Sequence, residues 1–284
     1  MEAKKEIRVF NDATAIITGG ASGIGCALAE ELARRGCAVV LADLQIDKAQ
    51  YVATKICNSG GKAKALKVDT TDFSSMEQLV LETVEESGRL DYIFNNAGIA
   101  IGCSACQYTI EDWNKIIDIN IRGVVNGVQA VYKLMIEQGF GHIVNTASIA
   151  GLIPIPLAVA YATTKHAVVG LSQSLRSEAV QHGIRVSVLC PGVIRTPILQ
   201  GGKFGKVLKD IPAEKVHDMW EEFKPMSPDV FAKKVLNAIA KNKAIIIEPS
   251  QWKLVWLLNR LFPSLIMASA QNSFKKMRKQ FNLS

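Results

Sequence analysis

Tyr161 and Lys165 stand four residues apart in YATTK, thirteen residues after Ser148. On a helix that spacing puts two side chains on one face, a turn apart, so the ammonium of Lys165 can favour the phenolate of Tyr161. A phenol ordinarily loses its proton near pH ~10. A neighbouring cation favours the charged form, and a tyrosine tuned toward working pH can take a proton from an alcohol or return one to a carbonyl. YxxxK is short and also describes ordinary helical surface, so the pair carries meaning only with the elements that position it.

Those elements alternate. The apolar runs TAIITGG, AVVLADL, AKALKVD, LDYIFNNAG, GHIVNTAS, IRVSVLCPG and AIIIEP are separated by amphipathic stretches of helical length, among them 24–35, 75–87, 113–138 and 161–182. Strands and helices in alternation predict an α/β fold with a parallel sheet covered by helices on both faces. Continuous rather than alternating hydrophobicity in the strands fits burial on both sides. No linker or repeat divides the chain, so 1–284 reads as a single domain.

After the first strand comes TGGASGIG, with Gly19, Gly23 and Gly25 where strand turns to helix. Glycines there let the backbone approach a pyrophosphate, and the helix start, at Ser22 and Ile24, offers unpaired N–H donors and positive dipole charge. Asp43 ends the second strand, followed by Leu44. A carboxylate at that position can accept both ribose hydroxyls of an adenosine and would repel a 2′-phosphate. No arginine or lysine stands in the glycine loop or immediately after Asp43, so NAD(H) is expected rather than NADP(H).

Taken together, the chain resembles the short-chain dehydrogenase/reductase family over nearly its whole length. TGxxxGxG is met by Thr18 to Gly25, the acidic strand end by Asp43, and the adenine-contacting aspartate by Asp69, followed by Thr70. NNAG is met by Asn95 to Gly98, including Asn96 and Ala97, and the helix asparagine by Asn120. The catalytic serine is met by Ser148, YxxxK by Tyr161 and Lys165, and the PG motif with its threonine by Pro191, Gly192 and Thr196. The resemblance implies a Rossmann-type doubly wound sheet of seven parallel strands and a homodimer or homotetramer joined through the helices at 113–138 and 161–182.

It also implies a division of labour. Tyr161 is the acid/base, Lys165 holds the nicotinamide ribose, Ser148 donates to the substrate oxygen, and Asn120 anchors a water leading the proton out. The backbone at Val193 and Ile194 would hold the nicotinamide carboxamide, with Thr196 on amide or phosphate. Each has a plainer alternative: Asn120 could cap or kink its helix, Ser148 and Asp43 could end strands. The expected reaction is hydride transfer between NAD(H) and a secondary alcohol or ketone. NADPH-dependent reduction of 3-oxoacyl-carrier or other carbonyl groups is the rival, and a non-catalytic, redox-responsive cofactor binder the alternative of another class.

Stretches 99–110, 149–160 and 197–226 should border the substrate. The second is uncharged and the third reads as a lid with an apolar inner face (Ile198, Leu199, Phe204, Val207, Leu208, Ile211, Trp220, Phe223, Met226). Both suggest a lipophilic substrate, or simple burial.

Composition bounds the rest. Hydrophobic residues make up 49% and charged ones 21%, and 33 basic against 26 acidic groups leave +7, modest for a globular protein. No aromatic-interleaved basic stripe argues for nucleic acid. MEAKKEIRVF lacks the apolar core of a secretory signal, so a cytoplasmic protein is expected. The cysteine pair Cys103/Cys106 lacks a second pair or spaced histidines, which speaks for free thiols and no metal. The C-terminal segment 249–284, apolar then basic, has too short an unbroken apolar run to span a bilayer. It is read as packing over the cleft or against another subunit, with contact to a membrane surface as the alternative.

Overall fold

The computed structural model describes residues 6–207 and 211–281, so Leu208 of the expected lid lies outside them. The first half runs β1 (Thr14–Thr18), α1 (Gly23–Arg34), β2 (Ala38–Asp43), α2 (Ile46–Asn58), β3 (Lys62–Lys67), α3 (Phe73–Ser87), β4 (Tyr92–Asn95), β5 (Ile101–Gly102) and α4 (Ile110–Ile117). It continues with α5 (Gly123–Gln138), β6 (Gly141–Thr146), α6 (Val159–Ala179), β7 (Ile184–Pro191) and β8 (Lys206–Val207). The last elements are α7 (Ala213–Glu221), α8 (Pro228–Ala240), β9 (Ile245–Glu248), α9 (Gln251–Leu261) and α10 (Pro263–Phe281).

Seven of the strands form one parallel sheet in the order β3-β2-β1-β4-β6-β7-β9, and each coincides with one of the seven apolar runs. β1 pairs with β2 on one side and β4 on the other, with Ala15 beside both Val39 and Tyr92. The strand order reverses there, which opens a crevice at the carboxyl ends of β1 and β4. Successive strand residues face opposite layers: Ala15 and Ile17 pack with Leu28 and Leu32 of α1 and Phe231 and Val235 of α8, while Ile16 and Ile93 pack with Met76 of α3 and Val131 of α5. Burying both faces pins the sheet register, because a slip by one residue would exchange the two layers.

Two departures from the sequence reading concern the site. The helix expected over 113–138 is broken: Asp118–Arg122 forms a π-helical turn between α4 and α5. Such turns recur at functional sites, and this one carries Asn120. The other is a two-stranded sheet of β5 and β8, which ties the chain after β4 to the stretch after β7.

Candidate active site

Every predicted catalytic and nucleotide residue lines one cavity of about 1050 Å³ at the carboxyl ends of the strands, except Gly25 and Asn120, which stand behind its wall. Gly19 adopts φ +67°, a left-handed backbone that favours glycine. A Cβ on Gly25 would come within 2.1 Å of the Gly19 carbonyl oxygen, so only glycine lets α1 start this close to the turn. Ser22 caps α1 without a side-chain hydrogen bond, and its first turn carries no acidic residue. The first-turn N–H groups and the dipole therefore face the cavity uncompensated, as a pyrophosphate requires. Thr18 Oγ1 accepts from the Asn96 and Ala97 amides at 3.0 and 3.1 Å, locking the NNAG loop to the glycine turn. Asn95 turns away and donates to Asn145 Oδ1 at 2.9 Å.

The Asp43 carboxylate is buried and accepts from the amides of Ala21 and Gln45 at 3.0 and 2.9 Å. The plain strand-end role is thus real, and it holds the carboxylate at the cavity wall. Lys48 lines the cavity as well, a cation that α2 brings back toward Asp43 although it is not adjacent in sequence. Asp69 Oδ1 accepts from both Thr71 N and Thr71 Oγ1, while the Thr70 carbonyl accepts from Asn126 Nδ2. At the end of β7 the Val193 carbonyl accepts from Met226 N, and Ile194 bridges to Met226. A Cβ on Gly192 would lie 2.3 Å from the Trp252 indole. That ring covers the PG turn, a contact that the expected packing of 249–284 over the cleft did not specify.

Lys165 is buried and its Nζ donates to the Thr146 carbonyl at 2.9 Å. Desolvation pulls its ammonium down to about 8, with Cys190 acting the other way. Nζ lies 5.5 Å from the Tyr161 ring centroid. The Tyr161 phenol is pushed up by burial, and the hydrogen bond from Ser148 opposes that shift. The phenol thus lies above its ordinary range, whereas the spacing of the pair predicts that Lys165 lowers it by favouring the phenolate. The lysine is itself desolvated and gives one of its three N–H donors to Thr146, and Ser148 is the hydrogen-bond partner that opposes the rise. Below pH ~8 Lys165 is charged folded or unfolded; between about 8 and 10.5 only the unfolded chain keeps the proton, so stability rises with pH across that window. Chemical denaturation of wild type and Lys165→Met should show wild type gaining on the variant from pH 8 to 10.5; parallel curves would exclude a depressed lysine.

Asn120 is fully buried. Its Oδ1 accepts from Ile99 N at 2.9 Å, and its Nδ2 donates to Ile99 O at 2.9 Å and Thr164 Oγ1 at 3.1 Å. It joins the loop after β4 to α6, the helix that carries Tyr161 and Lys165. A Cβ on Gly98 would lie 3.2 Å from Asn120 Oδ1 and 3.5 Å from Lys165 Nζ, so both polar groups border that glycine's empty side.

The far wall is apolar. Ile153, Ile155 and Leu157 line it, with Ile198, Phe204, Met219, Trp220 and Phe223 from the stretch after β7. Residues the sequence reading did not single out complete it: Trp252 and Val255 of α9, and Ile266, Ala270 and Met277 of α10. Phe274 and Met277 pack with Leu157, Ile211 and Val216, so the C-terminal helix closes over the cleft. Cys103 and Cys106 are free thiols, and no group of metal-holding side chains occurs among the described residues.

Residues 13–203 match the sequence profile of the family described as short chain dehydrogenase. The chain is 39% identical to a cyclohexanol dehydrogenase from Acinetobacter over 67% of its own length and 76% of that protein's. It is 35% identical to levodione reductase from Leifsonia aquatica, over 77% and 81% of the two chains. Among solved structures, a short chain dehydrogenase/reductase from Burkholderia phymatum in complex with NAD superimposes with a TM-score of 0.81 at 26% identity, covering 91% of this chain and 96% of that one.

Proposed function

The chain belongs to the short-chain dehydrogenase family of oxidoreductases, and we infer that it moves a hydride between NAD(H) and a lipophilic secondary alcohol or ketone. The observation that carries this reading is the meeting of Tyr161, Ser148 and Lys165 with the glycine cradle and an apolar wall in one cavity. The nicotinamide, when bound, supplies the hydride chemistry at its C4. Tyr161 exchanges the hydroxyl proton and Ser148 donates to the substrate oxygen, where charge develops in a site sheltered from water. Lys165 holds the nicotinamide ribose. Pro191, Gly192, Ile194 and Thr196 border the nicotinamide end, and Asp69 and Thr70 the adenine end. The stretch 197–226 acts as the lid, and α9 and α10, within 249–284, close the substrate side. Assembly as a homodimer or homotetramer through α5 and α6 belongs to the same reading.

The relatives named as acting on cyclohexanol and levodione support a ring-sized alcohol or ketone over a sugar. NAD-coupled turnover across short polar, medium and steroid-sized alcohols tests this; strict preference for small sugars would sink it. The cofactor assignment rests on Asp43, against which Lys48 is the available counterweight. Asp43→Ala should weaken NAD(H) binding about 10- to 100-fold, the range of a lost charged hydrogen bond, and shift the NADP(H)/NAD(H) preference ratio toward NADP(H). A general collapse of the loop would weaken both nucleotides alike, and a wild type that prefers NADP(H) overturns the assignment.

A further inference from the structure

Residues 249–284 hold six basic residues (Lys253, Arg260, Lys275, Lys276, Arg278 and Lys279) and no acidic one, so +6 of the chain's +7 (33 minus 26) sits in this segment. Within it, α9 is apolar on two opposite sides. Trp252, Val255 and Trp256 turn inward against Leu152 and Ile155, and Asn259 Nδ2 fastens that side to the Leu152 carbonyl at 3.0 Å. Leu254, Leu257 and Leu261 fall within about 60° of arc at 3.6 residues per turn and are 63%, 48% and 69% exposed. The stripe runs on through Phe262 and Leu265, 56% and 61% exposed, where α9 meets α10. A large apolar patch rimmed by charge marks an interaction surface.

We propose that this face of α9 and the start of α10 docks on an anionic membrane surface. The leucine stripe enters the headgroup boundary, and the exposed basic groups further along α10 meet lipid phosphates. Lys275, Lys276 and Lys279 are exposed along the second half of α10. Lys253 stands 3.7 Å from Glu248 and Arg260 lies over the inward Trp256 ring, so these two contribute least. Charge argues against a second copy as the occupant, because a two-fold interface would set the same basic face against itself. Among the described residues no helix is long and apolar enough to cross a membrane, so α9 lies along the surface. Ile266, Ala270 and Met277 of α10 line the cavity. On the lipophilic-substrate reading, substrate would enter beside the bilayer; the docking itself does not depend on that reading.

Sedimentation of the full chain with vesicles of phosphatidylcholine, with and without phosphatidylserine, tests the proposal. Wild type should pellet with the anionic vesicles, and added NaCl should release it. Leu257→Asp with Leu261→Asp should weaken partitioning about tenfold or more, and Lys275→Gln with Lys279→Gln by about tenfold. All these side chains are exposed, so melting temperatures should stay at the wild-type value. Wild type remaining in the supernatant with both vesicle types overturns the proposal without any variant. So does light scattering that finds a dimer split by Leu261→Asp, which would make a second copy the occupant.

Discussion

Tyr161→Phe should lower turnover by about 10²- to 10⁴-fold, the range a positioned proton donor supplies, while dinucleotide affinity stays near wild type. The change deletes one oxygen. The ring remains packed beside Ile99, Ile101, Ile116 and Ala160, and Lys165 keeps its bond to the Thr146 carbonyl, so neither the fold nor the cradle loses a support. Ser148 loses its phenol partner but still faces the cavity. Lys165→Met should behave differently, weakening turnover and nucleotide binding together, because only the lysine is assigned to the ribose. NADH absorbance reports turnover, and nucleotide fluorescence reports affinity. A Tyr161→Phe enzyme within about threefold of wild type would remove the phenol from the reaction, since general acid–base help is worth far more than that.

What the sequence disclosed follows from what burial does to pattern. Strands covered on both faces must be apolar throughout, and the seven runs from TAIITGG to AIIIEP therefore mark the seven strands. The glycine cradle was legible because Gly19 and Gly25 meet within one turn. The break at Asp118–Arg122 was not, because a π turn leaves the helical spacing on either side intact. Nor could spacing reveal that Lys165 bonds the Thr146 carbonyl from another element, that α2 returns Lys48 to the cavity, or that Trp252 covers Gly192. The lysine bond and the Trp252 cover are contacts between segments distant in the chain, and the return of Lys48 depends on how α2 leaves β2. The protonation of Tyr161 is the clearest instance. Its sequence partner at i+4 is itself buried and bonds the Thr146 carbonyl, and burial sets the direction of the phenol's shift.

Asn120→Ala should destabilise the chain by about 2–6 kcal/mol, because it strands both the amide and the carbonyl of Ile99 in a buried site at about 1–3 kcal/mol each. Ile99 and Asn120 are both buried, so water cannot readily replace the lost partners. For a domain of this size that corresponds to a fall in melting temperature of about 3–10 °C. Asn120→Asp should also destabilise, since it sets an acceptor oxygen against the Ile99 carbonyl that now receives Nδ2–H. The consequence reaches the chemistry through Gly98, whose empty side borders both Asn120 Oδ1 and Lys165 Nζ. A slackened loop there loosens the wall against which the lysine is held, so nucleotide affinity should weaken along with stability. A variant that keeps the wild-type melting temperature and loses only kcat would point instead to a proton exit at Asn120, with the ties to Ile99 dispensable to the fold.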